Sequence, residues 1–259
     1  MTKILVAALL SACAFAASAQ SGPVIRYGVD PTFAPYESVN AQGKMVGIDI
    51  EIGDAICQHL HATCSWTKIN FDGAIPALKA KKVDGILSGM TITEQRKKQV
   101  LFSTPLYSSP SRMMVPKGVT LDTTVASLKG KTVGIVQGTT QAAYANKHWK
   151  GKGVNLVSYQ NDDLAKQDLA LGRIDATLQD SAAAQSFFDT AAGKNFHLTG
   201  TAVDDPIVFG HGVGIGMRLG DTKLKNEIDG AIAAMKKDGT YQKILSHYAK
   251  YGLVAPKGE

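Results

Sequence analysis

The chain has 259 residues, a hydrophobic fraction of 44% and a formal charge of +6. That apolar content is ample for a packed core, and the lysines stand singly or in pairs on what reads as a solvated surface. No basic stripe with interleaved aromatics occurs, which argues against nucleic acid as a partner.

Taken in order, the chain opens with a secretory signal. Lys3 supplies a positive start, Ile4 to Ala17 is apolar, and Ala17-Ser18-Ala19 is a small-x-small cleavage site. Residues 1–19 are therefore expected to be removed, placing the mature protein in the periplasm. A rival reading takes Leu10-Ser11-Ala12-Cys13 as a lipobox with a lipidated Cys13. The position is early, and the apolar run continues past it. Val24 to Val29 predicts a first strand, followed by the loop Pro31 to Tyr36. Ile48, Ile52, Ala55, Ile56 and Leu60 recur at helical spacing, with Asp49 and Glu51 near the helix start.

The mature chain keeps Cys57 and Cys64, and an oxidising compartment favours a disulfide between them. In one continuous helix their Cα atoms would stand about 10 Å apart, whereas a disulfide needs roughly 4.4–6.8 Å. The pairing thus requires the helix to break near His61 to Thr63. Two buried free thiols are the alternative. No converging set of four ligands accompanies them, so no metal site is expected.

Farther on, Phe71-Asp72 opens a helix and Val83 to Leu87 a strand. After the Pro-containing stretch Tyr107 to Pro110, strands are expected at Thr132–Val136, Val154–Tyr159, Ile174–Leu178 and Gly212–Arg218. The intervening helices are Thr140–Lys147, Asp163–Leu171 and Ala182–Thr190, with a loop from there to Val208. Two C-terminal helices, Lys223–Lys237 and Tyr241–Lys250, are separated by Asp238-Gly239. Such alternation implies an α/β architecture with mostly parallel sheets. Break points near Ser108–Pro110 and Asp204–Pro206 suggest a first lobe of residues 20–108 and 206–259, with a second lobe, 109–205, inserted.

Two units carry the chemistry. Ser88-Gly89-Met90-Thr91-Ile92-Thr93-Glu94-Gln95-Arg96 follows one strand and ends toward a cation able to fork onto a carboxylate. Gly172-Arg173-Ile174-Asp175-Ala176-Thr177-Leu178-Gln179-Asp180 ends another strand in an anion. Ligands of open α/β sheets bind outside the carboxyl ends of strands, so the two units suit a small zwitterion. The plainer readings are a surface salt bridge for Arg96, a helix N-cap for Asp180, core packing for Phe33 and Phe71, and a turn residue for Asp30. Gly138-Thr139-Thr140 lacks the Gly-x-x-x-x-Gly-Lys pattern of a nucleotide site, and no cofactor is expected.

The ordered set Asp30-x-x-Phe33-Ala34-Pro35-Tyr36, Gly47-Ile48-Asp49-Ile50-Glu51, Cys57…Cys64, Phe71-Asp72-x-x-Ile75-Pro76-x-Leu78, Ser88 to Arg96, Gln137-Gly138-Thr139-Thr140-Gln141 and Leu178-Gln179-Asp180 resembles the family 3 periplasmic solute-binding proteins of ABC importers. Within them it is most similar to the lysine/arginine/ornithine- and histidine-binding proteins. The resemblance implies a two-lobed type II periplasmic-binding-protein fold with a two-strand hinge, closing on a cationic L-amino acid. It implies that Arg96 clamps the α-carboxylate with backbone N–H groups at Thr91 and Thr140. Asp180, the Thr91 hydroxyl and the Gly89 carbonyl take the α-ammonium, and Ser88 joins this wall. Phe33 and Phe71 sandwich the side chain, while Asp30, Val136, Thr139 and Gln141 line the distal end. It further implies a monomer that delivers its ligand to a membrane permease. Two departures stand out: Gly89, where the relatives carry Ser, and His211, where they more often carry Asp or Asn. A glutamine-type binding protein and a dehydratase-like enzyme are the competing readings; for the enzyme, no His, Cys or Lys constellation joins Asp30. A sensory protein feeding a chemoreceptor would present the same pocket.

Overall fold

The computed structural model describes residues 22–203 and 205–256, so the expected signal peptide and the lipobox at Cys13 lie outside the described residues. Two five-stranded sheets organise the chain. In the first, strands Thr63–Lys68, Val24–Val29, Gly85–Ile86, Gly216–Met217 and Leu101–Phe102 lie side by side in that order. In the second the order is Asn155–Tyr159, Thr132–Val136, Ala176–Asp180, Ser111–Pro116 and Phe196–Thr199. Each sheet is mixed: parallel where strands are joined through helices, antiparallel where the chain returns. Two of the four strand pairings in each sheet are parallel, as in the mixed α/β architecture expected.

Helix Ile48–His59 shows why local sequence suffices in places. Ile48, Ile52 and Ile56 fall on one face and are buried against the first sheet, while Asp49 and Glu51 sit in the first turn. It stops at His59, His61 takes φ 50°, and strand Thr63–Lys68 turns back. That reversal brings Cys57 and Cys64 to a Cα separation of 5.8 Å, where they form a disulfide. The helix break required by the pairing is therefore present.

Four expectations are corrected. The stretch after Pro110 holds strand Ser111–Pro116, which runs antiparallel to Ala176–Asp180 in the second sheet. Its polar first residues, Ser111 and Arg112, hide the strand pattern. The expected loop to Val208 contains strand Phe196–Thr199 and the short helix Pro206–Phe209, started by Asp205 as N-cap. The strand placed at Ile174–Leu178 runs instead over Ala176–Asp180, because Arg173 to Asp175 complete the turn after the helix. The glycine-rich run Gly212–Arg218 keeps only Gly216–Met217 as strand. Gly212 takes φ 79°, and Val213 forms isolated bridges to Thr91 and Tyr107 instead.

Those bridges mark where two segments cross between the sheets. Tyr107 pairs with Val213, and the Val203 N–H donates to the Ser111 carbonyl at 2.8 Å. One core lies under the first sheet around Ile48, Ile52, Ile56, Ile215 and Ile232. Another lies under the second around Met113, Val133, Ile135, Trp149 and Leu178.

Candidate functional site

A cavity of about 540 Å³ lies between the two sheet units, at the carboxyl ends of strands Val24–Val29, Thr132–Val136 and Ala176–Asp180. Every ligand-contact residue named from the sequence lines it: Asp30, Phe33, Phe71, Ser88, Gly89, Thr91, Arg96, Val136, Thr139, Thr140, Gln141 and Asp180. His211 does not. It is exposed, and its backbone N–H donates to the Ile92 carbonyl.

Arg96 sits on the short helix Glu94–Lys97, which Thr93 caps by accepting from the Arg96 N–H. Its guanidinium is buried and donates to two carbonyls, Thr91 at 2.8 Å and Gly138 at 2.9 Å. It also lies 5.2 Å from the centroid of the Phe71 ring. No carboxylate pairs with it among the described residues; Glu94 pairs with Lys97 instead. Burial alone lowers the guanidinium to about 10. An unpaired buried cation aimed into a cavity is a seat for an anion.

Asp180 ends strand Ala176–Asp180 and caps helix Ser181–Phe188. The Oδ1 atom collects all of the local donors: Tyr36 Oη at 2.7 Å, Ser109 Oγ at 3.0 Å, and the N–H groups of Ala182 and Ala183. None of these bonds reaches Oδ2. Burial raises the carboxyl above its usual range, while those donors pull it back. The N-cap bonds thus occupy Oδ1 and leave Oδ2 outside them.

Asp30 is 5% exposed. Its Oδ1 accepts from the Thr32 N–H and hydroxyl, and its Oδ2 from the Phe71 N–H at 3.2 Å. Burial raises it as well, opposed by those same donors. Phe33 and Phe71 flank this end of the cavity as half-buried rings, Phe33 tilted against Tyr36. Gly89 takes φ 55°, and an added Cβ would come within 2.8 Å of a Phe33 ring carbon. The glycine therefore lets that ring lie where it does. On the opposite wall Thr139 caps helix Thr140–His148, its hydroxyl donating to the Val136 carbonyl and accepting from the Ala142 N–H. Gln141 Nε2 donates to Ser111 Oγ.

Sequence reasoning missed a buried network behind this wall. Asp49 accepts from the Gly89 N–H at 2.7 Å and from Tyr107 Oη at 2.5 Å. Ser88 Oγ donates to Glu37 at 2.5 Å while accepting from the Asp30 N–H. Glu37 is driven well above the usual carboxyl range by burial and by Asp49, and Asp49 is raised by burial to about 6. Between them the two acids hold Ser88 and Gly89 in place, Glu37 through the Ser88 hydroxyl and Asp49 through the Gly89 N–H. Asp162 and Gln179, which line the cavity, were also missed. The one available signal was the Asp162…Lys166 spacing of four on a helix, which alone reads as a surface pair.

The sequence matches the bacterial extracellular solute-binding proteins, family 3, over residues 25–251. The chain belongs to that family. It is 42% identical over 253 residues to the lysine/arginine/ornithine-binding periplasmic protein of Escherichia coli (strain K12), covering 96% of this chain and 97% of that one. It is 46% identical over 241 residues to the histidine-binding periplasmic protein of Salmonella typhimurium, covering 93% and 92%. Among solved structures, an ancestral arginine-binding protein bound to arginine superposes with a TM-score of 0.81 at 35% identity, covering 88% of this chain and 99% of that one. The two mixed sheets follow the two-lobed fold of these solute-binding proteins.

Proposed function

We propose that this chain captures a cationic L-amino acid in the periplasm and hands it, as a monomer, to the membrane permease of an ABC importer. Lysine, arginine and ornithine are the favoured ligands, with histidine also accepted. Residues 20–108 with 206–259 form one lobe and 109–205 the other, and closure of the two around the ligand traps it. The observation that carries this reading is the buried Arg96, unpaired, in one cavity with the buried acids Asp180 and Asp30. An α-amino acid presents a carboxylate for Arg96 and an ammonium for Asp180 Oδ2. A cationic side chain lying between Phe33 and Phe71 ends at Asp30. The cationic ligands in the names of the related proteins favour the same assignment.

A thermal-shift panel of the amino acids plus ornithine tests the reading, since a ligand of the native state alone raises the melting temperature. Arginine, lysine or ornithine should give the largest rise. Asp30→Asn should weaken these ligands at least tenfold in calorimetry, about 1.4 kcal/mol. Tighter binding of glutamine or glutamate, or an Asp30→Asn variant with wild-type affinity, overturns it.

A further inference from the structure

The wall opposite Asp30 carries a carboxylate outside the zwitterion clamp. Asp162 begins helix Asp162–Ala170, whose N-cap is Asn161. It is 3% exposed and lines the same cavity. One oxygen accepts from Gln179 Nε2 at 2.5 Å, and the other lies 2.5 Å from Lys166 Nζ. Lys166 is itself buried, its ammonium 5.4 Å from the centre of the Phe187 ring. The helix packs against strand Thr32–Phe33, which brings Asp162 to the Asp30 end of the cleft. After burial and the local hydrogen bonds, the charge of Asp162 is a further influence on Asp30, raising it.

A count of buried charge gives this arrangement a meaning. Arg96 and Asp180 are matched by the two α-groups of an amino acid. What is left at the distal end is Asp30 and Asp162 against Lys166, one negative charge in excess. A neutral side chain would leave that charge uncompensated once closure expels water, and one cation balances it. Asp163, next on the helix, is exposed and does not line the cavity, although partial desolvation, Asp162 and Asp30 raise its carboxyl; the Glu37–Asp49 pair lies behind Ser88 and Gly89 outside the cavity lining.

We infer that Asp162 is a second specificity-determining residue: with Asp30 it forms a seat of two carboxylates, one from each lobe, for the cationic end of the ligand side chain. Lys166 holds Asp162 in place and sets the net charge of that seat. The inference rests on the cationic-ligand reading above and adds to it a residue from the inserted lobe. Asp30 alone would select a cation from one side. Two facing carboxylates make selection depend on closure, because the lobes meet with least repulsion when a cation lies between them.

The test compares arginine with citrulline, in which a neutral urea replaces the guanidinium. Calorimetry on the wild type, Asp162→Asn and Lys166→Met gives the arginine-over-citrulline preference of each. Asp162→Asn brings the local charge to zero, and the preference should fall at least tenfold. Lys166→Met makes the seat more negative, and the preference should rise. If the ion pair only braces the helix, each variant shifts both ligands alike and the preference stays within twofold of wild type, which overturns the inference. Should Asp162→Asn not fold, Lys166→Met decides alone: a raised preference supports the seat, an unchanged or lowered one refutes it. A wild type that binds citrulline better than arginine removes the proposed function and this inference together. A wild type that prefers arginine, with both variants keeping its preference, removes only this inference.

Discussion

Single residues in this cavity are placed against their own solvation. Arg96 is buried without a counter-charge among the described residues, so its presence works against the unliganded fold, a cost that the proposed contact with a ligand carboxylate would offset. Arg96→Met should accordingly leave the unliganded melting temperature unchanged or higher, and should cost about 2–5 kcal/mol of amino-acid affinity. Differential scanning calorimetry with and without ligand checks both halves; a variant that melts far lower yet still binds would contradict the account. Glu37 and Asp49 behave differently, because each is raised above its ordinary range, Asp49 to about 6. A carboxyl whose folded value exceeds its unfolded one stabilises the fold at acid pH and loses that contribution as pH climbs through the folded value. The unliganded melting temperature should therefore decline between about pH 5 and pH 7.5. Glu37→Gln removes one of the two raised carboxyls, and the decline should be visibly shallower. Asp84 and Asp205, both held near about 2 by basic partners, titrate below that window and do not mask it.

At the scale of elements, helix ends do the positioning. Thr139 caps helix Thr140–His148, Thr93 caps Glu94–Lys97 and Asp180 caps Ser181–Phe188, so each cap lies on the cavity wall or beside it. Free N–H groups at such ends favour negative charge, which suits the proposed seat of the α-carboxylate near Thr140. For Asp180 the cap and the charge can be separated by substitution. Asp180→Ser keeps a capping oxygen and should stay within about 1 kcal/mol of wild-type stability, whereas Asp180→Ala loses the cap and about 1 kcal/mol more. Both should lose amino-acid binding in the same titration. Equal stability of the two variants would show that the cap contributes little, and retained binding in either would remove Asp180 from the clamp.

For the molecule as a whole, side chains of each sheet unit reach the other across the cavity, as the proposed closure requires. Arg96 donates to Gly138 and Tyr36 to Asp180 across the cleft. An added Cβ at Gly138, where φ is 77°, would come within 2.9 Å of the Asp72 backbone. Few covalent connections oppose opening, since the units are joined where Tyr107 to Ser111 runs beside Val203 and Val213. Saturating arginine or lysine should therefore reduce the radius of gyration in solution scattering, relative to unliganded protein. It should also slow amide exchange at Gly138 to Thr140. Superimposable scattering curves with bound and free protein would argue against a closing hinge.

What the sequence determined by itself was everything local in origin. The period of Ile48, Ile52 and Ile56 specified a helix, and Cys57 and Cys64 required that helix to end. The alternation of strand and helix carried the α/β class, and the residues named from the sequence for ligand contact all line the one cavity between the sheets. Tertiary structure decided the rest. Strand Ser111–Pro116 exists because Ala176–Asp180 and Phe196–Thr199, far along the chain, pair with its two edges. The buried Glu37 and Asp49, and the Asp162–Lys166 pair, consist of residue types that are ordinarily solvated. Only the packing of distant elements removes their water, and with it creates the charge balance from which the ligand preference is inferred.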